Sequence, residues 1–524
     1  MKGHATGFGD AAAGPHHLAI QVAMSIMAAG GNAVDAAVAA CAVQGVVAPE
    51  TCGVGGDLFA LVHRPGMAGP EGLNASGRAG SGAWAATLRD AGHVRIPDRD
   101  PYTVTVPGCV DGWQALLERH GTLDLVTVLS PAIRLAVDGF PASDELAAAF
   151  ERFRSQLEGQ AAANGIYPPG GPLRPGMRIR RPGLATTLES VAEGGRDAFY
   201  GGPAGREIGA ATGGAITPDD LARPQADWVE PIGAPMQGLE AWTIPPNSQG
   251  YLTLAALRIF ELLDPPDDPD DPAWWHLLIE SYRSVAWERD DLVADPDHAP
   301  LATDLLLDPD RLTERARRID RRRASTWSPP MPAPGGTAYL CTVDRTGMGV
   351  SLIQSNYMGI GSLIGAGRAG FFLHNRGAGF DLRQGHPNEL APGKRPLHTL
   401  SPTIWTRAGE LAGVLGTRGG DQQPQMLIQV GARIFRGGMH PSDAQAAPRW
   451  TVPDFRQGDP PELLVETRVP SAIVDDLAGR GHTVRATRPW EGGWGPVSVI
   501  TVDPTGLRTA AADPRVVTSA AGAA

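Results

Sequence analysis

Cysteine is scarce in this chain of 524 residues. The four present, Cys41, Cys52, Cys109 and Cys341, lie far apart with no C-x-x-C spacing. That speaks against a disulfide framework or a patterned metal site, and they read as small buried hydrophobes. No apolar run reaches the ~20 residues a membrane-spanning helix needs. Met1-Lys2-Gly3-His4 lacks the apolar core of a signal peptide, so the expectation is a cytoplasmic protein with no membrane partner. Positive charge is also short. The formal balance is −12, which disfavours nucleic acid and anionic membrane surfaces as partners. No internal repeat is visible. Charged residues make up 19%, an ordinary share for a soluble globular protein, and the length allows several small domains or one large layered one.

What is present is a mixture of helical and strand patterns. Leu18, Val22, Ile26 and Met27 have helical spacing from His16 to Gly30, and Asn32 can cap a second helix, Ala33 to Val47. That second helix is apolar nearly all round, so it should be buried. Gly53-Val54-Gly55-Gly56-Asp57 precedes the strand Leu58 to Val62. Because this glycine-rich loop stands between a helix and a strand, in reverse of the phosphate-cradling order, a nucleotide site is disfavoured. A strand ends at Val104–Gly108, followed by helices from Cys109 to His120, Leu125 to Val137 and Asp144 to Gln160. Thr217 should cap a helix opening at Pro218. Trp274 to Asp291 is a strong helix, and Arg311 to Arg323 is a basic, solvated face. Ala324 to Pro334 reads as a proline-rich mobile linker. Strands are expected at Gly370–Leu373, Ser401–Trp405, Leu411–Leu415, Leu463–Glu466 and Val497–Val502, with helices at Gln425–Phe435 and Ser471–Gly479. Such an order fits a sheet-based layered α/β (α+β) domain.

One stretch carries a chemical suggestion. Gly335-Gly336 leads into a run opening with Thr337, where Tyr339, Cys341 and Val343 alternate with Ala338, Leu340 and Thr342. Asp344-Arg345-Thr346-Gly347 reads as a tight turn, and Val350 to Ser355 returns as a second strand. If the Gly336–Thr337 bond were cut, Thr337 would carry both a hydroxyl nucleophile and a free α-amine to serve as its base. An unperturbed α-amine has a pKa of roughly 7.7–8, so much of it is neutral near pH 7 to 8. On its own, Gly-Gly-Thr before a hairpin is far more often an ordinary loop.

Further motifs decide how that stretch is read. They are Gly30-Gly31-Asn32-Ala33-Val34-Asp35-Ala36-Ala37, Val106-Pro107-Gly108, Gly139-Phe140-Pro141, Pro392-Gly393-Lys394-Arg395-Pro396 with Ser401-Pro402-Thr403, Ala447-Pro448-Arg449-Trp450 and Asp513-Pro514-Arg515. With these, nearly the whole chain resembles the γ-glutamyltranspeptidase family of N-terminal-nucleophile hydrolases. The resemblance implies a four-layer αββα sandwich and a self-cleaving precursor. Its two fragments, 1–336 and 337–524, would stay associated as a heterodimer or a dimer of these. It also implies no cofactor and no metal. Thr337 matches the family nucleophile, with Gly336 and Thr337 flanking the cleavage site. Gly419 and Gly420 match the glycine pair whose N–H groups form the oxyanion hole. Ser355 falls where a second hydroxyl lies near the nucleophile's amine.

The substrate-binding positions depart from the family pattern. Gly379, before Phe380, stands where an acidic residue grips the γ-glutamyl α-amine. His398 and Thr399 replace two hydroxyls, and Ser355-Asn356-Tyr357 replaces a Thr-x-Asn pattern. Ser76 stands where the carboxylate-binding arginine would be, with Arg78 two residues later as a partial substitute. Phe380 to Pro396 is short for the lid loop of the bacterial transpeptidases, which implies an open pocket. Asn375 and Arg376 belong to a segment similar to the oxamate amidohydrolase branch, and the open pocket to cephalosporin-acylase-like members. Arg78 and Arg376 in the pocket would favour a small anionic amide. Asp421 would replace the lost amine partner or cap the helix after it. His398 would line the pocket as a hydrogen-bonding residue. The implied activity is amide hydrolysis or acyl transfer on a γ-glutamyl or related substrate, as in glutathione metabolism. The alternatives are a non-glutamyl amide hydrolase and an uncleaved binding relative.

Overall fold

The computed structural model describes residues 3–168, 171–299, 303–325, 336–452 and 462–524. Most of the proline-rich segment before Thr337, residues 326–335, lies outside them.

Two seven-stranded, wholly antiparallel sheets form the centre. The first runs, in spatial order, Ala520–Ala523, Ala11–Gly14, Gly336–Val343, Gly349–Tyr357, Asp57–His63, Glu71–Ala75 and Asp227–Val229. The second runs Gly3–Gly7, Arg508–Ala512, Val497–Val502, Glu410–Thr417, Thr403–Arg407, Leu239–Thr243 and Ile232–Met236. Alternation along the strands sends Phe59, Leu61, Tyr339, Cys341 and Ile353 from one sheet, and Ile404, Val414 and Ile500 from the other, into one dry layer between them. Their opposite faces lie against helices. A large core packs Val38, Val43, Trp113 and Leu129 on the first sheet, and another packs Leu254, Trp275, Leu427 and Leu477 on the second. Three stacked cores make four layers, αββα. Among the described residues, no helix is long and apolar enough to cross a membrane.

Local chemistry explains the elements that position the site. All 15 residues of the helix Ala33–Val47 are buried, and a capping box joins Asn32 and Asp35 at its start. The turn after Gly336–Val343 docks on that same helix start. Asp344 accepts from the Ala33 N–H at 3.0 Å, placing a carboxylate at the positive helix end, and Thr342 donates its hydroxyl to the Ala33 carbonyl. The turn itself is closed by Asp344 and by Gly347 at φ 94°. The Thr337 hairpin is thus locked to the most buried helix of the first outer layer. All four cysteines are buried and unpaired.

Four expected elements differ; the first is the helix expected over Trp274–Asp291, which stops at Ala286 and resumes as Arg289–Leu292 after a turn at Trp287 and Glu288. Residues 104–108 are extended but join no ladder; they pass along the edge of the Arg78 segment, where Val106 N–H donates to the Arg78 carbonyl. Gly370–Leu373 makes only a single bridge, Gly365 to Phe372, because Gly370 turns left-handed at φ 79°. The helix expected over 144–160 breaks at Phe153 into Asp144–Arg152 and Arg154–Leu157.

Candidate active site

Thr337 opens the strand at a bulge. Gly336 pairs with Tyr357 and Ala338 with Gln354, so Ser355 and Asn356 together oppose Thr337 alone. Such a bulge bends the strand and re-aims the side chains on it. It sets the Thr337 hydroxyl 3.0 Å from the Ser355 hydroxyl, with Thr337 only 1% exposed. Ser355 Oγ also accepts from the Tyr357 N–H at 2.8 Å, so that hydroxyl's position is fixed from the far side. Tyr357 itself sits at φ 72°, a region that non-glycine residues rarely occupy. Asn356 is tied down by its neighbours: its N–H donates to the Thr51 carbonyl, and its amide to that of Pro49.

Gly419 and Gly420 follow the strand Glu410–Thr417 of the second sheet, which crosses the hairpin. The Tyr339 ring lies against Gly416, where any Cβ would collide with it. The two chains therefore cross two residues after Thr337 and three before Gly419. Both glycines have positive φ, 124° and 59°, turning the chain sharply between the strand Glu410–Thr417 and the helix Gln423–Gly431. Arg418, just ahead of them, makes a two-pronged ion pair with Glu145. Glu50 lies near that arginine, and burial pushes its carboxyl up to about 8.

A second group of residues lies behind Tyr357. The Arg376 guanidinium stacks over the Tyr357 ring, 3.9 Å from its centroid, and is 1% exposed. Nη1 donates to the Thr399 hydroxyl at 3.1 Å, whereas Nε and Nη2 have no hydrogen-bond partner. Burial pulls Arg376 below the usual arginine range, opposed by Tyr357, Asp57 and Asp421. Asp57 is fully buried. His398 Nε2 donates to its Oδ2 at 3.0 Å, His374 Nδ1 lies 3.2 Å from the same oxygen, and Gly77 N–H donates to Oδ1. Burial alone would raise the Asp57 carboxyl, but the two histidines outweigh it and hold the carboxyl far below its usual range. His398 Nδ1 accepts from the Leu400 N–H, which assigns its neutral Nε2–H form. Burial, aided by Arg376, lowers its pKa to about 3.

In front of Tyr357 opens a cavity of about 520 Å³, lined among others by Tyr357, Gly379, Phe380, Leu397, Arg289 and Asp421. A Cβ at Gly379 would come 2.8 Å from the Leu397 carbonyl oxygen, so the backbone approach there leaves no room for a side chain. Asp421 does not cap the following helix. It lies in a tight turn at Gly420–Gln422 and is bonded to Arg289, which also donates to Gln249 at 2.8 Å.

Of the residues singled out in the sequence, Thr337, Ser355, Asn356 and Tyr357 share one bulge, and Arg376, His398 and Thr399 share one buried cluster beside it. Gly336 is the strand partner of Tyr357. Asn375 holds the framework together: its amide donates to the Asp98 carbonyl and its Oδ1 accepts from the Met358 N–H. Arg78 is placed differently from Arg376, because its guanidinium is engaged by Asp227, shared with Arg395, and by the Pro224 carbonyl. Sequence reasoning missed Asp57, His374, Gln249 and Arg289. Only Asp57 had a local signal, as the acid closing a glycine loop; the others become visible only when distant segments meet.

Known proteins resemble this chain along nearly its whole length. The profile of the Gamma-glutamyltranspeptidase family matches residues 19–523. The chain is 36% identical over 522 residues to the oxamate amidohydrolase proenzyme of Klebsiella pneumoniae subsp. pneumoniae, covering 98% of each. It is 34% identical over 506 residues to the glutathione hydrolase-like YwrD proenzyme of Bacillus subtilis, covering 96% of each. The crystal structure of cephalosporin acylase from Bacillus halodurans superposes with a TM-score of 0.92 at 34% identity, over 100% of this chain and 97% of that one.

Proposed function

Because this chain belongs to the γ-glutamyltranspeptidase family, we propose that it is a self-processing amidohydrolase acting on a small amide that carries a carboxylate. Family membership makes it an enzyme of the amidohydrolase and transpeptidase kind. The observation that carries the specific reading is the setting of Thr337: a buried hydroxyl at a strand head, on a bulge, 3.0 Å from a second hydroxyl.

The steps follow from that setting. Self-cleavage of Gly336–Thr337 yields fragments 1–336 and 337–524, held together because both contribute hydrogen-bonded strands to each of the two sheets. The freed α-amine of Thr337 takes the hydroxyl proton as the oxygen attacks the amide carbonyl. Ser355 orients this centre. The N–H groups of Gly419 and Gly420 stabilise the tetrahedral oxyanion, a contribution worth ~10²–10³ in kcat in comparable sites. The amine then leaves with a proton returned from the α-ammonium, and water, or an acceptor amine, resolves the ester.

Arg376 supports the anionic part of the reading. It is a buried guanidinium whose Nε lies 3.7 Å from Asp57 and whose Nη2 has no hydrogen-bond partner among the described residues, and an ionised carboxylate is a ligand whose geometry and charge suit that nitrogen. His398, Thr399 and Tyr357 hold it in place. Arg78 is held by Asp227 and does not share this role. The buried, unpaired thiols fit a reducing compartment such as the cytoplasm.

The test is a substrate panel on self-cleaved protein: oxamate, a glutaryl anilide and a γ-glutamyl anilide, each beside its uncharged analogue. Release from carboxylate-bearing amides, well above their neutral analogues, is the expected result. Release from none of them by protein that has cleaved itself would refute the reading.

A further inference from the structure

We propose that Arg289 sets the acyl specificity of this site. By pairing with Asp421 it makes the pocket accept acyl groups bearing a carboxylate and turn away those that also bear an ammonium. This rests on the amidohydrolase reading above and names the part of the substrate which that reading leaves open.

Asp421 directly follows Gly419 and Gly420, is buried, and lines the cavity together with Arg289. A carboxylate in that place would hold an ammonium group of a bound acyl donor, but its charge is already met. Arg289 bonds Asp421 through Nη1 and is itself held by Gln249 Oε1 at 2.8 Å and by Asp290 Oδ1 at 2.7 Å. Gln249 then donates to the carbonyls of Gly420, at 3.0 Å, and Thr399, at 3.1 Å. Thr399 accepts from Arg376. One frame thus joins the glycine pair, the acid-neutralising arginine and Arg376 behind Tyr357.

An incoming ammonium would have to displace a fully buried guanidinium from that frame and leave it without its counter-ion, which is unfavourable. No other cavity carboxylate substitutes readily. Asp290 is bonded to Arg289, Asp381 to Arg383 at 2.8 Å, and Asp98 to Arg95 at 3.4 Å, while Asp291 stands exposed near Arg383 and His386. At Gly379 the Leu397 carbonyl excludes a side chain. The pocket therefore meets an incoming ammonium with an acid whose charge is already neutralised.

Glutarate and L-glutamate differ only by the ammonium, so they make a matched pair of probes. Their binding to self-cleaved wild-type protein, measured by titration calorimetry, requires no turnover. Glutarate is expected to bind roughly tenfold or more tightly than L-glutamate. Arg289→Gln should bring the two within about threefold or invert them, and Arg289→Gln combined with Asp421→Asn should remove that gain. Equal affinities in the wild type, no binding of glutarate, or an unchanged ratio in Arg289→Gln would overturn the proposal. The wild-type measurement decides even where Arg289→Gln does not fold. Failure of the amidohydrolase reading shows separately, as absence of self-cleavage or of amide release.

Discussion

The two sides of the Thr337 site are built in opposite ways. On one side, the hairpin Gly336–Tyr357 and the glycine pair at 419–420 are made of contiguous residues, and their chemistry is backbone geometry: a bulge, two positive-φ glycines and a closed turn. On the other, Asp57, Arg289, Arg376 and Asp421 come from four distant segments, and their chemistry is buried charge held by long-range partners. In the mechanism we propose, the first side touches only the reacting amide and so suits many substrates. The second would select the acyl group, and each of its charges is held by a partner that a single substitution removes.

That division predicts different failures on the two sides. The largest belongs to the backbone side. Gly419→Ala places a Cβ on a residue at φ 124° and shifts the N–H groups beside it. It should lower kcat by ~10²–10³ with little change in KM, as read by steady-state kinetics on self-cleaved protein. An equal rise in KM would mean that the pair binds substrate instead. On the charge side, Arg376→Gln should raise KM for carboxylate-bearing amides by roughly 10–100-fold, the worth of a charge-assisted hydrogen bond. Neutral analogues should change far less; equal losses on both would remove Arg376 from the acyl pocket.

Stability separates the two sides further. Asp57→Ala leaves two histidines and Arg376 without their shared carboxylate and should cost about 3–5 kcal/mol, measured as a lowered denaturant midpoint. A neutral effect would show that Asp57 is not the keystone of the cluster. The pH dependence follows from the signs. The folded pKa of His398, about 3, lies below its unfolded value of 6.5, so the unfolded chain binds more protons between those values. Stability should therefore fall as pH drops through that window, joined near pH 4 and below by Asp57, whose depressed pKa acts in the same direction. His398→Gln should flatten the upper part of the slope. Glu50 is the reverse case. Its pKa is raised from 4.5 to about 8, so the folded chain binds the extra proton and stability falls as pH rises across that range. Glu50→Gln should raise stability slightly at pH 8 and leave it unchanged at pH 4, by thermal melts.

The same division explains what was legible beforehand. The hairpin, its Asp344 turn, the Asn32 cap and the buried helix Ala33–Val47 were readable because each is set by residues a few positions apart. The layered sheets and family followed from motifs spread over the chain. Residues 104–108 and 370–373 read as strands, yet whether a strand forms depends on a neighbouring edge that sequence does not display. Arg78 looked like a pocket cation until Asp227, some 150 residues away, was seen to hold it. Arg289 lay inside a pattern read as continuous helix, and the acid it neutralises is 132 positions distant. Charge pairing of that kind exists only in the fold.

The central claim is that Thr337 becomes a chain terminus. It is tested most directly by the intact mass of freshly purified protein beside its Thr337→Ala variant. Two fragments, Met1–Gly336 and Thr337–Ala524, in the wild type and a single full-length chain in the variant are the predicted result. Full-length chain alone in both, persisting on prolonged incubation, would contradict it and leave a binding protein built on an enzyme's fold.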